Sequence, residues 1–322
     1  MARFFSVRTR VVCFAATLVL VACGPVDMPV KDSGMTNIDS GTSAFDAGTG
    51  FDAGSTFDAG SLTDSGVVDA GADAGVSTFH IEFNYQFDTK GMFTNPERRA
   101  ALAAAAKVWE TLLRDEYEDI PERTQLRIRH PEQPYDAGFN FTLNQPIDDL
   151  VIFVGSSTLP SGVAATSSPS AALGSVTDAT LRARLSERFD GNVFQPWTGW
   201  ISFSDSGRFF FDPTPETSND IPLDKTDFIS TATHEIGHVL GFGTSARFKR
   251  LVVSSAFTGT KAVALYGAPV PTSSDGSHVS GTVMFNGQSV LMDDAASASG
   301  VRRGPTALDN AMLEDTGHQF WP

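Results

Sequence analysis

The chain reads as an α+β protein. Three observations predict this class. An alternating apolar run at 79–85 leads into a helix start at Thr94-Asn95-Pro96-Glu97. Further strand-like runs at 126–129, 149–154 and 198–211 come before a second helix that opens near Thr226 or Asp227. The remaining third is loop-rich, with one helix signal from Pro305 to Asp315.

Residues 1–22 have the three-part form of a secretory signal. Arg3, Arg8 and Arg10 precede the apolar run Val11 to Val21, which is short for a membrane span. The run ends in Leu20-Val21-Ala22-Cys23. This resembles the bacterial lipobox, which implies that Cys23 is lipidated and becomes the mature first residue. The expectation is an exported lipoprotein of the cell envelope or surface, attached to the membrane through the lipid on Cys23. The only other cysteine, Cys13, lies in the segment to be removed, so no disulfide within the mature chain is expected. Removing residues 1–22 takes three arginines and no acid, and shifts the formal charge from −15 to −18. Such a chain is a poor partner for nucleic acid, and its surface for anionic lipid.

Residues 23–76 read as a disordered tether. Phe-Asp-Ala-Gly recurs at 45–48, 51–54 and 57–60, and Asp-Ala-Gly at 69–71 and 73–75. Small residues, glycine and acids bury too little apolar surface to offset chain entropy. A flexible coil of this length spans roughly 40 Å root-mean-square. Residues 77–322 are then one domain, long enough to hold a core.

Within that domain, Phe79-His80-Ile81-Glu82-Phe83-Asn84-Tyr85 alternates as a half-buried strand. The helix after Pro96 carries Leu102, Ala105, Trp109 and Leu112 or Leu113 on one face. Leu126 to Arg129 and Asp149 to Val154 are expected strands. The Ser-, Ala-, Gly- and Pro-rich segment 155–180 is expected to be a long surface loop. Thr198 to Ser204 and Arg208 to Phe211 are expected to form a strand pair or hairpin before the second helix. Phe228, Ile229, Ile236 and Leu240 give that helix its apolar positions, and Gly241 is placed to end it. Gly317 follows the terminal helix.

The second helix carries His234-Glu235-Ile236-Gly237-His238-Val239-Leu240-Gly241-Phe242. Histidines four apart differ by about 40° around a helix and about 6 Å along it, so both imidazoles reach one zinc ion. Glu235 can act as general base toward a bound water. A catalytic zinc needs a third protein ligand. The position six residues after His238 is Thr244, so either the third ligand comes later or the site is damaged. The remaining histidines are His80 in the first strand, His130 before Pro131, His278 in a polar loop, and His318 after the terminal helix, where a surface or capping role is expected. A downstream glutamate, Glu314, is the competing third ligand.

The order of motifs resembles the metzincin metalloproteases, in particular the leishmanolysin-like branch. There a long insertion separates the glycine from the third histidine, a Leu-Met turn follows, and a helix of the form Ala-Leu-x-x-Ala-x-x-x-Asp-x-Gly comes next. This chain has His278, then Leu291-Met292, then Ala307 to Gly317. The likeness covers about 226–322 well and 79–113 more loosely. It implies a twisted mixed sheet with two main helices in an N-terminal subdomain. It also implies a loop-rich C-terminal subdomain with a methionine turn and a terminal helix. Within these it implies His278 as third ligand and Met292 as the turn methionine, forming an apolar floor without binding metal. The expected activity is zinc-dependent endopeptidase action on an extended polypeptide, with the strands at 199–211 as the docking edge and a monomer as the working unit. The cysteines of leishmanolysin itself are absent, and the insertion is shorter. The rival expectation is a catalytically inactive zinc-binding surface lipoprotein with an adhesive or binding role; the presence of Glu235 weighs against it.

Overall fold

Asn95 opens the first helix because its side chain accepts the Glu97 N–H while Pro96 needs no partner for a missing one. The computed structural model describes residues 78–136, 138–170, 176–295 and 299–322. The signal segment, Cys23 and the tether lie outside the described residues. The first elements are β1 (Ile81–Asn84), α1 (Pro96–Leu112), β2 (Gln125–Ile128), β3 (Phe139–Thr142), β4 (Leu150–Ser157) and β5 (Ala165–Pro169). They are followed by α2 (Ala179–Asp190), β6 (Thr198–Ser204), β7 (Phe209–Phe210), β8 (Thr226–Asp227) and α3 (Phe228–Val239). The fold is mixed α and β, with a mixed central sheet and six helices among the described residues.

The central sheet has the order β1-β4-β6-β5. β1, β4 and β6 are parallel, and β5 runs antiparallel to β6 on the outside. β4 is buried along its whole length because both faces of the sheet are covered. Leu150, Ile152 and Val154 join the core formed with α1 and α3. Val151 and Phe153 face a second core with Leu181 and Leu185 of α2, the β2–β3 hairpin, Trp197 and Trp200. Period-two alternation thus sends one strand's side chains into two separate cores.

Three expectations are corrected here. Segment 155–180 is not one surface loop. β4 continues to Ser157, β5 forms the outer strand, and α2 begins at Ala179 on the cap Asp178, whose side chain accepts the Leu181 N–H. The stretches 198–204 and 208–211 do not pair: β7 lies parallel to β8, with Phe209 opposite Thr226. The strand at 198–204 is not a sheet edge, since β6 lies between β4 and β5; the edges of this sheet are β1 and β5.

The C-terminal part is also more structured than a loop-rich reading suggests. It contains α4 (Ala246–Leu251), β9 (Val252–Val253), β10 (Ala256–Phe257), α5 (Thr260–Tyr266), β11 (Val270–Pro271), β12 (Met284–Phe285), β13 (Gln288–Ser289) and α6 (Ala307–Glu314). The strands form a small three-stranded sheet, β11-β10-β9, and a β12–β13 hairpin. Among the described residues no helix is long and apolar enough to cross a membrane.

Candidate metal centre

All twelve residues of α3 are buried. His234, Glu235 and His238 keep only 6%, 6% and 7% of their surface exposed, so the helix has almost no solvent face and most of its polar groups must find partners inside the protein. Asp227 caps it, accepting from Ser230 N (2.9 Å) and Ser230 Oγ (2.6 Å). Arg302 holds that cap at 2.9 Å from Asp227 and 2.6 Å from Asp212. Trp109 of α1 donates its indole N–H to the Thr233 carbonyl (2.8 Å). The helix ends at the cap residue Leu240, followed by Gly241 at φ +105°, a backbone conformation that side-chain-bearing residues rarely adopt.

His234 and His238 project from α3 and meet His278, which lies between β11 and β12. One ligand-capable atom from each of the three lies within 4.8 Å of the others. Ring centroids are 4.7 Å apart for His234–His238, 5.2 Å for His234–His278 and 4.6 Å for His238–His278. The hydrogen bonds fix the tautomers. His234 Nδ1 lies 2.9 Å from the Leu291 carbonyl and His238 Nδ1 lies 2.8 Å from the Phe242 carbonyl. A carbonyl can only accept, so both Nδ1 atoms carry hydrogen and both Nε2 atoms keep a lone pair. His278 Nδ1 contacts Ser277 Oγ at 2.8 Å, and that hydroxyl donates to Asp275 Oδ2 at 2.8 Å. The hydroxyl's one hydrogen is therefore used, and it accepts from His278 Nδ1.

Three Nε2 lone pairs are thus left without a donor. His238 Nε2 and His278 Nε2 are 3.0 Å apart, a repulsive contact between two acceptors unless a cation lies between them. Two nitrogens bonded at about 2.0–2.1 Å to one tetrahedral ion lie about 3.3–3.4 Å apart. The donor set therefore fits a borderline metal ion. Burial holds the imidazoles neutral. It pushes His234 down to about 3, with the nearby His278 adding to the effect. Burial, then the neighbouring histidines, pushes His238 well below the usual range. His278 is lowered by burial against the pull of Asp275 and Asp294. Neutral imidazole is the form that ligates metal.

Glu235 is buried, and its Oε2 has no hydrogen-bond partner. Burial raises its carboxyl to about 7. An unpaired buried carboxylate oxygen is costly, and such groups concentrate where chemistry is done. Ser167 of β5 donates to the Glu235 backbone carbonyl (2.9 Å), tying the outer strand to this turn of the helix.

Met292 is fully buried, with its sulfur against Gly237 of α3. Its backbone segment is pinned by Asp309, whose carboxylate accepts from Leu291 N and Met292 N, both at 3.0 Å. Val279, next to His278, donates to the Met292 carbonyl (2.8 Å). The turn therefore touches two of the three histidine positions: through Leu291 O to His234, and through Val279 to His278.

The other histidines lie elsewhere. His80 is exposed beside Glu110, and His130 packs on Phe87. His318 is not a surface residue. Its side chain is fully buried, with Nδ1 3.0 Å from Asp115 and Nε2 2.7 Å from the Leu240 carbonyl, so it braces the end of α3. Glu314 pairs with Lys261 (3.1 Å) rather than with the histidines. Sequence reasoning also passes over Asp309, although Thr306-Ala307-Leu308-Asp309 is a capping-box pattern. The braces Arg302 and Asp115 carry no local signal. No protein-family model matches the chain, and no curated protein matches it in sequence.

Proposed function

We propose that the protein is a zinc-dependent endopeptidase of metzincin type, exported as a lipoprotein. The observation that carries this reading is the convergence of three lone-pair Nε2 atoms, two of them on the same helix as Glu235, a buried glutamate with an unpaired oxygen. His234, His238 and His278 would hold the ion. When bound, zinc polarises a carbonyl and acidifies water. Three neutral imidazole ligands leave its double positive charge intact.

Glu235 takes the proton of the attacking water and returns it to the leaving amine. A cation bound nearby would favour its carboxylate form and so oppose the upward shift that burial imposes. β5 offers an outer strand edge beside α3, and an extended polypeptide adding to it would be held by backbone hydrogen bonds with little demand on side chains. The mixed sheet, the terminal helix α6 and the seat of Met292 on Gly237 support the metzincin resemblance.

The test is cleavage of an unfolded protein by the full chain, with and without a zinc chelator, beside Glu235→Gln. The expected result is cleavage that chelation abolishes and that the variant lacks although it still binds one zinc. A zinc-loaded, folded wild-type protein with no cleavage would favour the non-catalytic binding role. Export and anchoring are tested separately by detergent-phase partitioning, which Cys23→Ser should abolish.

A further inference from the structure

The three candidate ligands are held in two different ways. His234 and His238 use backbone carbonyls as partners for Nδ1, and both carbonyls belong to well-braced backbone. His278 has a side chain instead, Ser277 Oγ, which is oriented by Asp275. Two of the ligands are therefore insensitive to side-chain substitution at their Nδ1 partner, and the third is not.

The segment around His278 is built to present this contact. Ser273 N donates to the His278 carbonyl (2.9 Å) and His278 N donates to Ser273 Oγ (3.1 Å), closing a tight turn. Asp275 sits inside that turn. Its Oδ1 accepts from Ser273 Oγ (2.6 Å) and Ser277 N (3.1 Å), and its Oδ2 accepts from Ser277 Oγ (2.8 Å). Burial works against its charge, yet these donors hold its carboxyl below the usual range. With both Ser273 and Ser277 hydroxyl hydrogens committed to Asp275, Ser277 Oγ can face His278 only as an acceptor. The turn also packs on the end of the metal helix. A Cβ on Gly243 would fall on the Ser277 carbonyl, so the glycine allows the two segments to touch.

We infer that Asp275 and Ser277 are positioning residues for the third ligand. They form a hydroxyl-bridged relay that keeps hydrogen on His278 Nδ1 and leaves Nε2 free for the metal. The inference rests on the proposed metal site and adds to it what sets the third ligand's tautomer. Outer partners of ligating histidines change metal affinity by about 10–100-fold when removed.

The experiment measures zinc dissociation constants for the full chain by competition with a chromophoric chelator, alongside imidazole ¹⁵N chemical shifts of the zinc-free protein. The proteins are wild type, His278→Ala, Ser277→Ala, Ser277→Thr and Asp275→Asn. Ser277→Ala should weaken zinc binding about 10–100-fold, and should move the His278 nitrogen shifts away from the Nδ1–H pattern. Ser277→Thr, which keeps the hydroxyl, should restore both. Asp275→Asn, which keeps only one acceptor oxygen, should fall between. Wild-type affinity in Ser277→Ala, or equal losses in Ser277→Ala and Ser277→Thr, would overturn the relay while leaving the metal site standing. A wild-type protein that takes up no zinc, or a His278→Ala protein that binds it unchanged, would remove the metal reading and the relay with it.

Discussion

Met292 occupies the space that a side chain at Gly237 would need: a Cβ there would lie 2.6 Å from the Met292 sulfur and 3.3 Å from the Trp109 ring. Gly237 lies between His234 and His238 in the sequence of α3, so the contact fixes the depth at which the helix seats on the 291–292 turn. Alanine is the better helix former by about 1 kcal/mol, so on propensity alone Gly237→Ala should stabilise the protein. We expect the opposite, a loss of about 1–3 kcal/mol from overpacking, read by urea unfolding. Adding Met292→Ala should recover part of that loss; strictly additive losses would show that the two sites do not compete for space.

Asp309 is fully buried and serves four donors: Leu291 N, Met292 N, Thr306 N and Thr306 Oγ. Asp309→Ala strands the buried Leu291 and Met292 N–H groups away from water and, at about 1–3 kcal/mol for each, should cost about 2–6 kcal/mol. It should also weaken zinc binding, because the Leu291 carbonyl that orients His234 loses its anchor. Unchanged stability in urea would show that other groups satisfy the turn.

Burial raises Asp149 from 3.8 to about 6, against the N–H groups of Tyr117 and His80 that favour its charged form. A folded-state value above the unfolded one means that its contribution to stability is fully present below about pH 4 and is lost as pH rises through about 6. Water around the exposed neighbours Glu116 and Asp148 screens the effect, so the expected loss is about 1–2 kcal/mol. The stability difference between wild type and Asp149→Asn, measured at pH 4 and pH 7, should shift by that amount to the disadvantage of wild type. Parallel pH profiles would contradict it.

His318→Ala removes the side-chain partner of the buried Asp115 carboxylate, leaving it the Gln319 N–H, and removes the ring nitrogen that faces the Leu240 carbonyl. Each buried group left without a hydrogen bond costs about 1–3 kcal/mol. A drop in the urea midpoint of matching size is the expected result, whereas a drop below about 0.5 kcal/mol would mark the cluster as idle.

Zinc at about 100 times its dissociation constant should stabilise the protein by about 2.7 kcal/mol, seen as a rise in melting temperature that chelator reverses. Glu235→Gln should keep this rise and His278→Ala should lose most of it. Equal rises in all three proteins would place the zinc elsewhere.

What was legible in the sequence was what short-range chemistry writes. The His-Glu-x-x-His spacing, the Asn95-Pro96 start of α1 and the apolar run of β4 each state a local requirement. β5 was hidden because Ala165-Thr-Ser-Ser-Pro169 is only half-buried and owes its strand form to backbone pairing with β6. α2 is polar overall, and its Leu181–Leu185 pair has meaning only against the sheet that covers it. Asn286-Gly287, between β12 and β13, is a hairpin signature that a loop-rich reading passes over. His318 finds Asp115 across 203 residues of sequence, a pairing that no local window contains.

The enclosure of α3 has a kinetic consequence. A helix with so little solvent-facing surface cannot fray into water while the rest of the molecule stays closed. Its amide hydrogens should exchange with deuterium only when the whole domain opens, and so rank among the slowest in the chain. The grouping of His234 and His238 with His278 would then have the lifetime of the fold itself, and its loss in a heated or denaturant-stressed sample would report global unfolding rather than a local event.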